Sequence, residues 1–387
     1  MYVDSKKNVS LDSLNNFRLF LRKIKNMESK KYFAAFGLVF IGMLSFTTSF
    51  AQPEDEEEDY SNYGTEEGVK RYCTPKVIGL SPQRLISIGY DFAGPHQINA
   101  AGLGAIAAQT GDVKNYMGLV IGANIPVIAT HKFLLNIGMN YSGSNFSFAN
   151  DSLTNPFLQS LDGGIRTFGL NTTIFKPLNE KHYLLGFLSG DYNGDFSFNR
   201  FQNISYLKTS VVGVFGWKFN ERFQFGIGAT QTYRAGEKSL LPVIHYNFTS
   251  KNDKWGIEAL LPARMHYRYA FTRRDLLLAG FEVIGNSFHL ANVDNRYPAN
   301  NTPGMVAGYD ANDIEFRRSE VRFRLDYMKA LSDFIWVSVQ AGYIYAYRFN
   351  VDSGNAFRSF GSDMPYVMEN EMKGAPFFQV TLNLVSP

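Results

Sequence analysis

An all-β fold, a transmembrane antiparallel β-barrel of about 14 strands, is what this sequence predicts, and three observations carry the prediction. Large apolar residues alternate with polar or small ones in segment after segment between Arg84 and the C-terminus. Glycine (34 residues) and aromatics (15%) are abundant, and the polar connections alternate short and long. A period of two belongs to strands, and many such segments describe a closed sheet whose apolar face meets lipid. A soluble β-sandwich is the rival class, and solubility without detergent would favour it.

The chain opens on an export signal. After Lys30 and Lys31 no charge occurs from Tyr32 to Pro53, and the apolar run from Phe33 to Leu44 leads to Ser49-Phe50-Ala51. Small residues at 49 and 51 make a signal-peptidase site, so the mature chain is expected to begin at Gln52. A retained anchor is the alternative. The acidic block Glu54–Asp59 that follows the run, in place of a basic stop, argues against it. Met27 offers a second start, which would make residues 1–26 an extension. The expected organisation is therefore 1–51 extension and signal peptide, 52–76 acidic flexible leader and 77–387 barrel, with a bacterial outer-membrane location.

Composition narrows the function classes. Residues 1–51 hold 8 basic and 3 acidic residues of the chain's 38 and 35, so the remainder carries 30 minus 32, about −2, which removes a nucleic-acid binder. The single cysteine, Cys73, excludes an internal disulfide framework and a multi-thiol metal site, and residue 52 is Gln, not a lipid-bearing Cys.

Strands are expected near 84–93, 115–125, 131–142, 165–176, 182–192, 206–219, 222–233, 240–249, 254–261, 264–271, 275–289, 314–328, 334–349 and 376–385. Asn220-Glu221, Ser250–Asp253, Thr272–Arg274 and Lys329–Asp333 are short connections, whereas 143–164, 193–205, 290–313 and 350–375 are long. The alternation requires a turn at Leu261-Pro262-Ala263, where Pro262 removes a ladder donor. If 254–271 is one bent strand, the count falls to 12. Residues 94–113 decide whether the barrel is stoppered: folded inward they occlude it, outside they leave it open.

Alternation also assigns faces. Outward go Ile86, Ile88, Tyr90 and Phe92; Leu207, Val211, Phe215, Trp217 and Phe219; Phe223, Phe225 and Ile227; and Ile335, Val337, Val339, Tyr343, Tyr345 and Tyr347. The stripe Tyr343, Tyr345, Tyr347, Phe349 reads as an interfacial girdle. Opposite Val321, Phe323, Leu325 and Tyr327 stand Arg318, Glu320, Arg322, Arg324 and Asp326. A central Arg facing lipid would cost ~2–4 kcal/mol, so this ladder should line the lumen. Arg264, His266 and Arg268 alternate likewise, Glu258 and Glu282 add opposite charge, and Arg348 is expected to join. Such charges can attract anionic solutes, or can pair with one another and fill the interior.

Enzyme chemistry has little support. Ser287 and His289 share one face, with Asn286 and Asn292 nearby, but neither the order nor the spacing of a membrane lipid hydrolase is present. His96, His131, His182 and His245 sit singly, Asp310 and Asp313 read as solvated loop, and no phosphate loop occurs, so no metal or cofactor is expected.

The region Trp255–Tyr269, preceded by Leu241–Phe248 and followed by Gly280–Gly285, resembles an outer-membrane β-barrel family of Bacteroidota-type bacteria, a domain of unknown function. The resemblance spans most of the mature chain and implies an outer-membrane address and a barrel, with no catalytic residues to carry over. The C-terminus departs from the usual assembly signal, ending Leu384-Val-Ser-Pro387 instead of on an aromatic. The expected partners are membrane lipid, the barrel-assembly machinery and small solutes. The expected role is a channel for small anionic or hydrophobic solutes, the alternative a closed structural or surface-binding barrel.

Overall fold

A computed structural model of the protein describes residues 72–150, 152–196, 204–234, 236–306, 309–354 and 365–386. The segments expected to be signal peptide and most of the acidic leader, and parts of all four long connections, lie outside these residues. The strands are β1 (Arg84–Ala93), β2 (His96–Ala100), β3 (Gln109–Thr130), β4 (Phe133–Phe148), β5 (Ile165–Pro177), β6 (His182–Gly194), β7 (Leu207–Asn220) and β8 (Phe223–Thr232). They continue as β9 (Ser239–Thr249), β10 (Trp255–Leu261), β11 (Arg264–Thr272), β12 (Asp275–Leu290), β13 (Ile314–Ala330), β14 (Ile335–Ser353), β15 (Glu371–Met372) and β16 (Ala375–Val385).

Each strand of the wall pairs antiparallel with its neighbours, and β1 closes the ring by pairing with both β16 and β3. With β2 and β15 set apart as a short extension, the closed barrel has 14 strands. The turn after Leu261 separates β10 from β11, as Pro262 predicts.

Burial inverts the soluble pattern. Tyr90, Leu170, Val211, Ile227, Phe323, Leu325, Tyr345 and Leu382 are exposed on the outside, while Asp191, Ser210, Gln224, Glu320, Gln340 and Asn383 are buried within. Exposed apolar area this continuous requires an apolar surround.

Two features depart from simple alternation. In β14 the register against β13 slips at Tyr347, so that Ser319 pairs with Arg348 and Glu320 with Ala346. A bulge inserts one residue and inverts the faces beyond it. Phe349 therefore turns inward, at 2% exposure, and does not belong to the outer aromatic stripe. The second departure is the short β10–β11 hairpin, whose Arg264 pairs with Glu282 halfway along β12. Above that level the wall lacks two strands. The seam is closed instead by the rim of β6–β8: Gly194 bridges His289, and the loop at Gly236 lies against Ser319.

The long-loop mouth holds an apolar cap. Helix α1 (Pro156–Asp162) starts where the Asn155 side chain accepts the Phe157 amide proton, with Pro156 in the first turn. Its buried Phe157 meets Phe316 and Phe349 at ring-centroid distances of 5.0 and 5.8 Å. Ile98, Ala100 and Leu103 from the 94–113 stretch join the same cluster. That stretch thus folds over the mouth, with β2 pairing β3 and β15.

Candidate functional site: a charged central chamber

Between the apolar cap and the short-turn mouth lies a chamber of about 890 Å³. Its wall carries six arginines (Arg84, Arg234, Arg264, Arg318, Arg322, Arg324) and six carboxylates (Asp91, Asp191, Glu258, Glu282, Glu320, Asp326). The described lining is formally neutral apart from histidine.

The β13 ladder supplies most of it, because β13 keeps strict alternation against β12. Glu320, wholly buried, accepts from Arg318 on Oε2 at 2.8 and 2.9 Å and from Arg322 on Oε1 at 2.7 Å. Arg322 also reaches Asp91 Oδ2 at 2.7 Å and the Tyr116 hydroxyl, which itself donates to Asp91 at 3.0 Å. Next along the strand, Arg324 meets Glu282 at 2.6 Å and His266 Nε2 at 3.1 Å. Asp326 accepts from Arg84 at 3.2 Å and from Ser338. Pairs so buried need partners on nearly every polar atom.

A strap forms the chamber floor. Residues 72–83 cross the short-turn mouth, and their last part, Leu80–Gln83, faces the chamber. Lys218 Nζ donates to Thr74 O and Oγ1, both at 2.9 Å, and to Lys76 O at 2.7 Å. Cys73 is buried with Phe175 and Tyr183, where burial pushes its thiol pKa up. Ser81 donates through N and Oγ to Glu258 Oε1, each at 2.9 Å, and Arg268 holds the same oxygen at 3.0 Å. Residues 72–76, read from sequence as leader, are thus bound to the barrel. On the far side of the strap a second cavity of about 910 Å³ faces the mouth and takes Arg268 in its wall.

Of the residues singled out from sequence, Glu258, Arg264, His266, Glu282, Arg318, Glu320, Arg322, Arg324 and Asp326 face the chamber, while Arg268 lies at the strap. Arg348 does not join them. The slip at Tyr347 turns it to the opposite face, where it pairs with Glu237 at 3.0 Å. Among the described residues Arg264 makes no hydrogen bond or ion pair, and its side chain stands exposed on the chamber wall.

Asp91, Asp191, Arg84 and Arg234 went unremarked in sequence. Alternation on β1 and β6 was the signal available for the two aspartates, which sit opposite Tyr90 and Tyr192 in period. Sequence also missed the meeting of His289, Asp313 and Glu315, whose ligating atoms lie within 4.8 Å of one another. Ser287 Oγ donates to Glu315 at 2.7 Å and not to His289, so this serine and histidine are not paired.

Several solved structures are similar to this chain. The COG4313 outer membrane channel from Pseudomonas putida F1 matches with 12% identity and a TM-score of 0.35, covering 79% of this chain and 97% of that one. A Pseudomonas aeruginosa FadL homologue gives 9% and 0.34 over 79% and 91%, and the Pseudomonas putida toluene transporter TodX 9% and 0.32 over 81% and 95%. No curated protein is matched. The family model for a domain of unknown function, DUF6268, matches residues 122–384, and this chain belongs to that family.

Proposed function

We propose that the protein resides in the bacterial outer membrane, exported by its N-terminal signal and inserted by the barrel-assembly machinery. There it acts as a gated channel for small solutes bearing an anionic group, its long-loop mouth capped and its short-turn mouth crossed by the strap. The inverted burial pattern supports the membrane setting. Arg264 carries the solute reading: among the described residues its guanidinium makes no direct ion pair, since the carboxylate opposite it, Glu282, is held by Arg324, and on the wall of a chamber large enough for a small molecule it is a ready partner for a carboxylate or phosphate. Charged walls favour anionic over purely hydrophobic cargo.

A closed structural barrel is the second reading, favoured by the equal counts of arginines and carboxylates. Conductance of the refolded full chain in planar bilayers separates the two. The channel reading expects intermittent conductance, more frequent when Glu258→Gln loosens the strap, with an anion preference that Arg264→Ser abolishes. Inserted protein that stays silent even as Glu258→Gln would establish the closed barrel.

A further inference from the structure

We infer that His289, Asp313 and Glu315 form a site for one divalent transition-metal ion of the zinc type, set in the seam where the rim of β6–β8 meets the outer face of β12 and β13. Nothing in the channel reading uses this cluster, and it faces away from the chamber.

The distances point to an ion rather than to direct bonds. His289 Nδ1 stands 3.6 Å from Glu315 Oε1 and 3.9 Å from Asp313 Oδ1, too far for good hydrogen bonds. Two donors each ~2.1 Å from a tetrahedral ion lie about 3.4 Å apart, close to what is found. His289 is 2% exposed, yet among the described residues its Nδ1 has no hydrogen-bond partner. A buried imidazole nitrogen aimed without a partner at two carboxylates needs a further group to be satisfied.

Charge agrees. Among the described residues the charged groups acting on the cluster are Asp195, Asp310, Asp313 and Glu315 against one ammonium, Lys208, a net negative setting that a divalent cation would offset. Nearby Arg317 has its own carboxylates in Asp352 and Glu237.

Supporting contacts already orient the donors. Ser287 Oγ and Lys208 Nζ hold the two Glu315 oxygens, each at 2.7 Å, and the Tyr206 ring meets the imidazole edge-on at 4.7 Å. Gly354 keeps the space for Asp313, since a Cβ there would fall 2.2 Å from its Oδ1. One imidazole among two carboxylates suits zinc or cobalt better than calcium or magnesium, which take oxygen ligands.

The test is titration of the refolded full chain in detergent with zinc chloride by calorimetry, and with cobalt(II) followed by visible absorption. One equivalent should bind, cobalt should develop ligand-field bands of a low-coordinate site, and Asp313→Asn and His289→Asn should each weaken zinc at least ~10-fold. His131→Gln, at an exposed turn, should leave binding unchanged. Asp313 is partly exposed, so its variant keeps the test alive if the histidine variant misfolds. Zinc binding unaltered in both variants, or equal affinity for magnesium that survives His289→Asn, would overturn the assignment.

Discussion

Arg322 on β13 reaches past β14 and β16 to Asp91 on β1, Nη1 to Oδ2 at 2.7 Å, although 231 residues separate them in sequence. The pair acts as a chord across the curve of the wall. Replacing Arg322 by Ala removes the counter-ion of Asp91, leaving it the Tyr116 hydroxyl alone, strands one oxygen of Glu320, and should destabilise the barrel by about 3–5 kcal/mol. Urea unfolding in detergent should show the loss, with much of it recovered when Asp91→Asn is added. Equal loss in the double variant would mean that the pair is not coupled.

The outer face offers a direct test of its surroundings. Phe323 is exposed, opposite the buried ladder. Phe323→Arg should cost about 2–4 kcal/mol in a bilayer and impair insertion. On a soluble surface the same change would fall within about 0.5 kcal/mol, so vesicle-insertion assays distinguish the two settings.

Phe157 anchors the cap between Phe316 and Phe349. Phe157→Ala should cost about 3–5 kcal/mol, concentrated in the cap. Limited proteolysis should then cut near α1 faster while the strands stay protected. Unchanged cleavage would show that the cap does not depend on this ring.

Alkaline pH should loosen the loop that follows β12. Tyr309 donates to Pro298 O at 2.8 Å, and burial pushes its phenol up to about 12. A raised folded value favours the neutral form, so this contribution is whole below about pH 10 and is lost as pH rises from there towards about 12. Tyr309→Phe cannot ionise and should show a shallower fall in thermal midpoint over that range. Identical slopes would remove Tyr309 as a cause.

Gly236 has φ +82°, and a Cβ there would lie 2.2 Å from Ser319 Oγ. Gly236→Ala should push the rim loop off β13 and weaken the Glu237 pairs with Arg317 and Arg348. Faster amide exchange in 233–239 would report it, and unchanged exchange would count against this closure of the seam.

Strand number and facing were legible because alternation is a local property repeated along the chain, as at Phe323 and Arg324. The turn at Pro262 was legible because proline removes a donor. The cap was not. Helix α1 spans only Pro156–Asp162, too short for a helical period to stand out, and β2 is a five-residue strand. The slip at Tyr347 was concealed because Phe349 continues the odd-numbered aromatics, so the pattern runs on while the backbone changes phase. The His289 cluster and the Arg322 chord depend on which strands meet, and residues far apart in sequence give no sign of that.

The slip at Tyr347 lets one strand serve two enclosures. Below it, odd residues of β14 such as Tyr345 meet the surround; above it, Phe349 and Val351 seal the cap while Arg348 and Asp352 bind the seam. Deleting a single residue there would exchange those roles at once, driving Arg348 and Asp352 into the apolar cap. The upper third of β14 is therefore a place where sequence length matters more than sequence identity, and a peptide tag or loop graft should be introduced beyond Ser353.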